Sequence, residues 1–183
     1  MLIHTQRLRL LTCELPHLTA IAQNPASLGT LLGVTVPDHW PAHRSAYGHA
    51  EALARKNPLL VMSGWWLYLF VDPASKVLVG SGGFKSAPDA DGIIEIGCEI
   101  APDYRRQAYA TEALLGLIRY AFSRSGVSAV QGHSLARKCP RSELLRALGM
   151  KKVGVAADAA AGEVWVWQLS QEAYLQLASR AGD

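Results

Sequence analysis

Cysteine is scarce in this chain of 183 residues: Cys13, Cys98 and Cys139 are the only three. Their number is odd and no two stand in Cys-x-x-Cys spacing, which argues against a disulfide framework and for free thiols in a reducing compartment. Charge of one sign is equally scarce. Lys and Arg number 18 against 15 Asp and Glu, a formal net charge of +3. So small an excess gives no reason to expect a nucleic-acid partner, although it leaves room for a local site that binds a small anion. Long apolar runs are missing too. Trp65–Val71 is among the longest and stops far short of the ~20 residues that a membrane helix needs. Met1 leads quickly into charged residues, without the basic, apolar and small-residue succession of a secretory signal. These absences lead us to expect a cytoplasmic protein with no membrane partner.

What remains is ordinary globular material, 50% hydrophobic and 18% charged, with no internal repeat and no linker, and its length suits one domain over 1–183. Arg7–Thr12 alternates as a half-buried strand does, with Leu8 and Leu10 on one face. Pro16 opens a short helix to Gln23. Asn24–Pro41 is punctuated by proline and glycine too often for one long helix, and Ala42–Lys56 is a better candidate, stopped by Asn57-Pro58. Three strands are expected at Trp65–Val71, Lys76–Phe84 and Ile93–Ile100, joined closely enough for an antiparallel meander. A helix over Thr111–Ser123, a strand over Ala129–Leu135 and a helix over Pro140–Leu148 follow. Val153–Val155 and Val164–Leu169 read as hairpin arms around Ala156–Gly162, and Ser170 begins a last helix. The order implies an α/β fold with one mixed sheet.

Ile93–Ser123 carries the chemistry. Ile94, Ile96, Cys98 and Ile100 line one face of the strand; Glu95, Gly97 and Glu99 lie on the other. The loop Arg105-Arg106-Gln107-Ala108-Tyr109-Ala110-Thr111 then runs into the helix. Small residues at Ala108 and Ala110 leave main-chain N–H groups free at a helix N-terminus, which is an anion site, and Arg105 and Arg106 add charge beside it.

On these residues the sequence resembles the GNAT superfamily of acyl-CoA N-acyltransferases. The superfamily's loop, Arg/Gln-x-x-Gly-x-Gly/Ala between a strand and a helix, is matched by Arg105 to Ala110. Glu95–Ile100, Tyr104–Ala113, Thr5–Leu10 and Leu148–Gly154 are similar to the branch that acetylates ribosomal-protein N-termini and related amines. The resemblance implies a mixed, mostly antiparallel sheet flanked by helices and opened in the middle. It also implies acetyl-CoA as co-substrate, a primary amine as acceptor, and direct attack in a ternary complex. Ile100, Arg105, Arg106, Gln107, Ala108, Tyr109, Ala110 and Thr111 are the expected cofactor contacts, with Lys138 beside them, and a main-chain N–H near Ile100 would face the oxyanion. Glu95 is the first candidate for the base and Glu99 the second; about 13 Å of strand separates them, so they are alternatives and not a pair.

Four positions depart from the pattern. Ala108 stands for the loop's first glycine, Lys138 and Arg141 for an Asn and a Ser that touch the pantetheine arm, and Leu145 for a tyrosine general acid. A small-molecule or antibiotic acetyltransferase, a non-catalytic acyl-CoA-binding module and an interaction protein therefore stand beside the protein N-terminal reading. His39 and Trp40 fall where the family shapes its acceptor pocket. His39 and His43 are not read as metal ligands, since Pro41 lies between them and no Glu accompanies them. Cys139, next to Pro140, has no evident His partner for nucleophilic work. Trp165 and Trp167 share a strand face, which suits packing or a homodimer contact.

Overall fold

A computed structural model describes residues 1–181. Its eight strands form one sheet in the order β1-β2-β3-β4-β5-β6-β8-β7. They are β1 (Leu2–His4), β2 (Arg9–Thr12), β3 (Leu67–Asp72), β4 (Val77–Phe84), β5 (Ile93–Ile100), β6 (Ala129–Leu135), β7 (Lys151–Asp158) and β8 (Gly162–Ser170). Every neighbouring pair is antiparallel except β5 with β6. The helices are α1 (Leu15–Gln23), α2 (Pro25–Leu32), α3 (Arg44–Lys56), α4 (Leu59–Met62), α5 (Tyr109–Phe122), α6 (Pro140–Ala147) and α7 (Gln171–Ala181). None of the described helices is long and apolar enough to cross a membrane.

Two apolar cores lie on the two faces of the sheet. One packs α5 through Ala113, Leu114, Leu117 and Ile118 against Leu10, Tyr68, Ile94 and Ile96, with Leu145 of α6 joining it. The other packs α1 to α3 through Leu18, Ile21, Leu28 and Tyr47 against Leu69, Val71 and Leu78. The alternation along each strand assigns residues to these faces, and the helix stripes repeat at the spacing that meets them.

The expected meander β3-β4-β5 and the helices after it stand where the pattern put them. Met1 to Arg7 does not: Leu2–His4 is a further strand, paired through Ile3 with Leu10. In the region read as broken, α2 fits between Pro25 and the left-handed Gly33 that ends it. The terminal hairpin is longer than its valines suggest, because the small residues Ala156 to Asp158 continue β7 and pair as far as Asp158 with Gly162. Trp167 is buried and donates its indole N–H to Ser134 Oγ at 3.0 Å, and Trp165 leans on it.

The opening of the sheet is the feature that makes a site. Strand β5 pairs with β6 only from Ile93 to Glu95, then with β4 alone from Ile96 to Ile100. Beyond Glu95 the two central strands part, since β6 is held to β8 along its whole length. The Glu95 carbonyl accepts from Lys85 N–H, and Ala101 N–H donates to Val79, so odd-numbered groups serve β4. The pleat then turns the main-chain groups of Cys98 and Ile100 into the gap.

Candidate active site

The loop that follows β5 is built around two residues in the left-handed region, Arg106 at φ 60° and Ala108 at φ 62°. Ala108 is the N-terminal boundary of α5, and no side chain caps that helix. The first N–H groups of α5 are therefore open to a ligand, at the positive end of a helix of 14 residues. Alanine pays for this geometry: a left-handed non-glycine residue costs about 1–2 kcal/mol. Neighbouring contacts fix the loop. Tyr109 Oη donates to Asp72 Oδ2 at 2.9 Å, and the Arg7 guanidinium lies 4.4 Å from the Tyr109 ring centre. Arg7 also reaches the Gln107 carbonyl at 3.0 Å and forms a 2.6 Å ion pair with Glu112.

Glu112 in turn accepts from Thr5 Oγ1 and from the main-chain N–H groups of Arg7 and Leu8. Burial raises its pKa, but these donors outweigh it and the group lies below the usual carboxylate range. Asp72 behaves alike: burial opposes ionisation, and the Tyr109 hydroxyl with the Ala74 and Ser75 amides overcomes it. The motif's Thr-Glu-Ala thus ties the N-terminal segment to α5, which holds the loop in shape.

A cavity of about 670 Å³ runs from this loop into the gap between β5 and β6. Ile100, Arg105, Arg106, Ala108, Tyr109, Ala110 and Thr111, all expected from the sequence, line it. Its wall carries three arginines, Arg105, Arg106 and Arg141, and no carboxylate. Arg105 is steered by its Nε, which donates to the Ile100 carbonyl at 3.0 Å. Gln107 faces elsewhere, its side-chain amide donating to the Asp103 carbonyl, and Lys138 is not on the wall. Leu145 is buried and rests against Gly132, where it fills space and offers no proton.

A second cavity, of about 440 Å³, lies on the opposite side of β5 under α3. His43, Tyr47, Trp66, Ser81 and Glu99 contribute to its wall. The two cavities share Gly97 and Cys98. Glycine at position 82 lets β4 lie close against β5 here: a Cβ there would fall 2.4 Å from the Gly97 carbonyl oxygen. Glu99 supplies the second cavity's only carboxylate, and its Oε1 accepts from Ala42 N–H at 2.7 Å. The Tyr47 hydroxyl is hydrogen-bonded to Ser81 Oγ, and burial pushes its pKa well up. Burial also pushes the Cys98 thiol up to about 11, with Arg141 pulling it down and Glu99 adding to the rise.

Glu95 is on neither wall. It is paired with Lys85 and accepts from His133 Nδ1 at 2.7 Å, where β5 and β6 are still joined. Tyr47 and Ser81 are not singled out by the sequence, and Trp66, which the sequence marks as core or interface, is buried as expected and also reaches the wall. Tyr47, Ala50 and Ala54 of α3 do stand at helical spacing, a signal for a buried face that says nothing of a pocket. Trp40 is not on the wall; it supports the pocket from behind, edge-on to Tyr47 at 5.6 Å.

A parted sheet, an uncapped helix end and an arginine-rich groove agree with comparison to known proteins. The model of the acetyltransferase (GNAT) domain matches residues 7–151. The chain belongs to the GNAT acetyltransferase family. It is 29% identical over 171 residues to YjdG, an uncharacterised N-acetyltransferase of Bacillus subtilis, covering 91% of this chain and 96% of that one. Among solved structures, RimL, a ribosomal L7/L12 alpha-N-protein acetyltransferase in complex with coenzyme A, superposes with a TM-score of 0.71 at 16% identity, over 94% of this chain and 99% of that one. A SpeG spermidine N-acetyltransferase chimera, from Vibrio cholerae and hSSAT, gives 0.68 at 17% identity, over 93% and 99%. Both share the fold. Membership makes this GNAT protein an acetyl-CoA-dependent N-acetyltransferase.

Proposed function

We propose that this GNAT protein acetylates an α-amine, with a protein or peptide N-terminus as the favoured acceptor. The observation that carries the reading is the sharing of Gly97 and Cys98 by a donor-side cavity and an acceptor-side cavity. The residues present fit acetyl-CoA. Arg105 and Arg106 stand beside the open amides of α5 for a diphosphate, and the parted strands leave the Cys98 main chain and the Ile100 N–H for the pantetheine amides, the Ile100 carbonyl being shared with Arg105. Acetyl-CoA supplies an activated thioester carbonyl.

Glu99 is the base in this reading, because it lines the acceptor cavity while Glu95 is engaged by Lys85 and His133. The Ala42 amide holds the carboxylate in place. Glu99 takes the proton from the attacking nitrogen, directly or through one water. A main-chain N–H of β5 turned into the gap stabilises the oxyanion. With Leu145 in place of an acid, the thiol leaves as thiolate, tolerable for a group of pKa about 8.5.

The amine class follows from the same inventory. An α-amine at about 7.7–8.0 is partly neutral at physiological pH, whereas a lysine side chain near 10.4 needs stronger help than one carboxylate gives. A polyamine would bring several positive charges to a wall with a single carboxylate, beside Lys85, His43 and His49. The test compares thiol release with a peptide bearing a free α-amine, the same peptide blocked there but carrying a free lysine, and spermidine. We expect the α-amine to be preferred by at least about tenfold in kcat/KM, from the pKa gap; preference for lysine or spermidine would overturn the assignment.

A further inference from the structure

Arg141 is an odd residue to find at a transfer point. It begins α6 on the donor side, yet its guanidinium reaches across the gap to Gly97: a Cβ built there would lie 3.2 Å from Nη2. Gly97 shares its strand face with Glu99, so the tip arrives where the two cavities meet. Ion pairs among the described residues engage Arg7, Arg55, Lys85, His133 and Arg146, and none engages Arg141. About 10 Å of strand from Gly97 to Ile100 separates this arginine from the diphosphate end of the groove. Its charge is felt by sulfur at this spot, since it draws down the Cys98 thiol. Apolar Leu144 and Leu145 flank it, and the groove holds no carboxylate to answer it.

An acetyl group offers the guanidinium no anion. We infer that Arg141 reads a carboxylate at the far end of a longer acyl chain, so that the groove also takes dicarboxylic acyl thioesters such as succinyl-CoA. A planar guanidinium matches a carboxylate in a two-bonded fork, and Arg141 is exposed and free to turn toward one. Arg141 stands on the wall of the donor cavity and is absent from that of the acceptor cavity, which favours the acyl chain over the acceptor as the source of the anion. The inference rests on the acyl-transfer reading. The amine nitrogen attacks the thioester carbonyl, the C–N bond forms and the C–S bond breaks. Sulfur leaves with the electron pair, the nitrogen's proton passes to Glu99 and on to solvent, and the distal carboxylate is unchanged. The acceptor then exchanges a cation for an amide ending in an anion.

The test uses the whole protein with acetyl-, butyryl- and succinyl-CoA and one uncharged-side-chain peptide, with and without a C-terminal amide. Calorimetry of each donor is run alone, and thiol release follows. Butyryl-CoA matches succinyl-CoA in chain length and lacks only the charge. We expect succinyl-CoA to exceed butyryl-CoA by roughly 10- to 100-fold in binding and in kcat/KM, as a charged hydrogen bond gives. In Arg141→Gln that ratio should fall to about one, the acetyl-to-butyryl ratio staying put, and Arg141→Lys should restore part of it. A native ratio of one or below, a ratio that survives in R141Q, or an equal fall for all three donors would overturn the proposal. So would a charge preference that follows the peptide's carboxylate instead of the donor's. Charge-selective binding without thiol release from any amine would sink the transfer reading and leave the Arg141 site standing.

Discussion

The two cavities on either side of β5 are built in opposite ways. The donor groove takes most of its wall from one continuous stretch, Ile96 to Leu114, and in the proposed reading it would bind through main-chain amides that any sequence of suitable shape can present. The acceptor cavity draws on α3, β3, β4 and β5, and its chemistry resides in side chains brought together from His43 to Glu99. A site made by local backbone can keep its shape while its sequence drifts, as Ala108 at φ 62° in a glycine's place illustrates. A site made by distant side chains can change its substrate with a few substitutions while the fold stands.

That contrast is broken most decisively at Glu99. Glu99→Gln should lower kcat/KM by roughly 10²–10⁴, the range for a lost general base, while coenzyme A binding by calorimetry is unchanged. Glu95→Gln should cost only a few-fold by the same assay. A larger loss at Glu95 than at Glu99 would return the base to the first candidate that the sequence suggests.

Glu112 sharpens the donor side by testing what holds the loop. Replacing it with Gln should destabilise the fold by about 2 kcal/mol, since hydrogen bonds to a charged group are worth about 1.5–3 kcal/mol. Its folded pKa lies below the ordinary value. Its contribution is thus fully present above the unfolded value of about 4.3 and is lost as pH falls through the depressed folded value. Denaturant titrations at pH 7 and pH 3 should show wild type and E112Q converging in acid; a constant gap would refute the assignment.

Smaller effects follow in the loop. Arg106→Glu should weaken coenzyme A by about tenfold or more, through lost attraction to a diphosphate, and the loss should shrink as salt rises. Smallest is Ala108→Gly, which removes the strain at φ 62°. A gain of up to about 1 kcal/mol in stability is expected, part of the left-handed penalty being offset by glycine's entropy when unfolded. Coenzyme A should bind a few-fold more tightly at most, and a weaker complex would mean that the methyl group itself is a contact.

Legibility in the sequence followed the same division. The strand at Ile93–Ile100, the loop to Thr111 and the helix after it could be read because periodicity and the turn's small residues are local signals. Met1–His4 was missed as a strand because so short an edge has little alternation to show. The hairpin's Ala156 to Asp158 hid its pairing, since small residues carry weak strand preference and only β8 holds them in register. Glu95 and Glu99 stand four residues apart on one face, and the sequence puts Glu95 first, whereas the cavity wall holds Glu99. What separates them is where β6 leaves β5: it stays beside Glu95 and parts before Glu99. That is a long-range fact about strand pairing, and no local pattern reports it. Gln107 illustrates the converse, a motif position whose side chain is used on the loop itself.

A structure of the protein with coenzyme A bound is the most direct trial of a β5 that joins both cavities. The result expected is a diphosphate within hydrogen-bonding distance of the Ala108–Thr111 amides and a sulfur ending beside Gly97 and Cys98, facing Glu99. Coenzyme A bound with its sulfur away from that pair, or seated outside the parted strands, would contradict it.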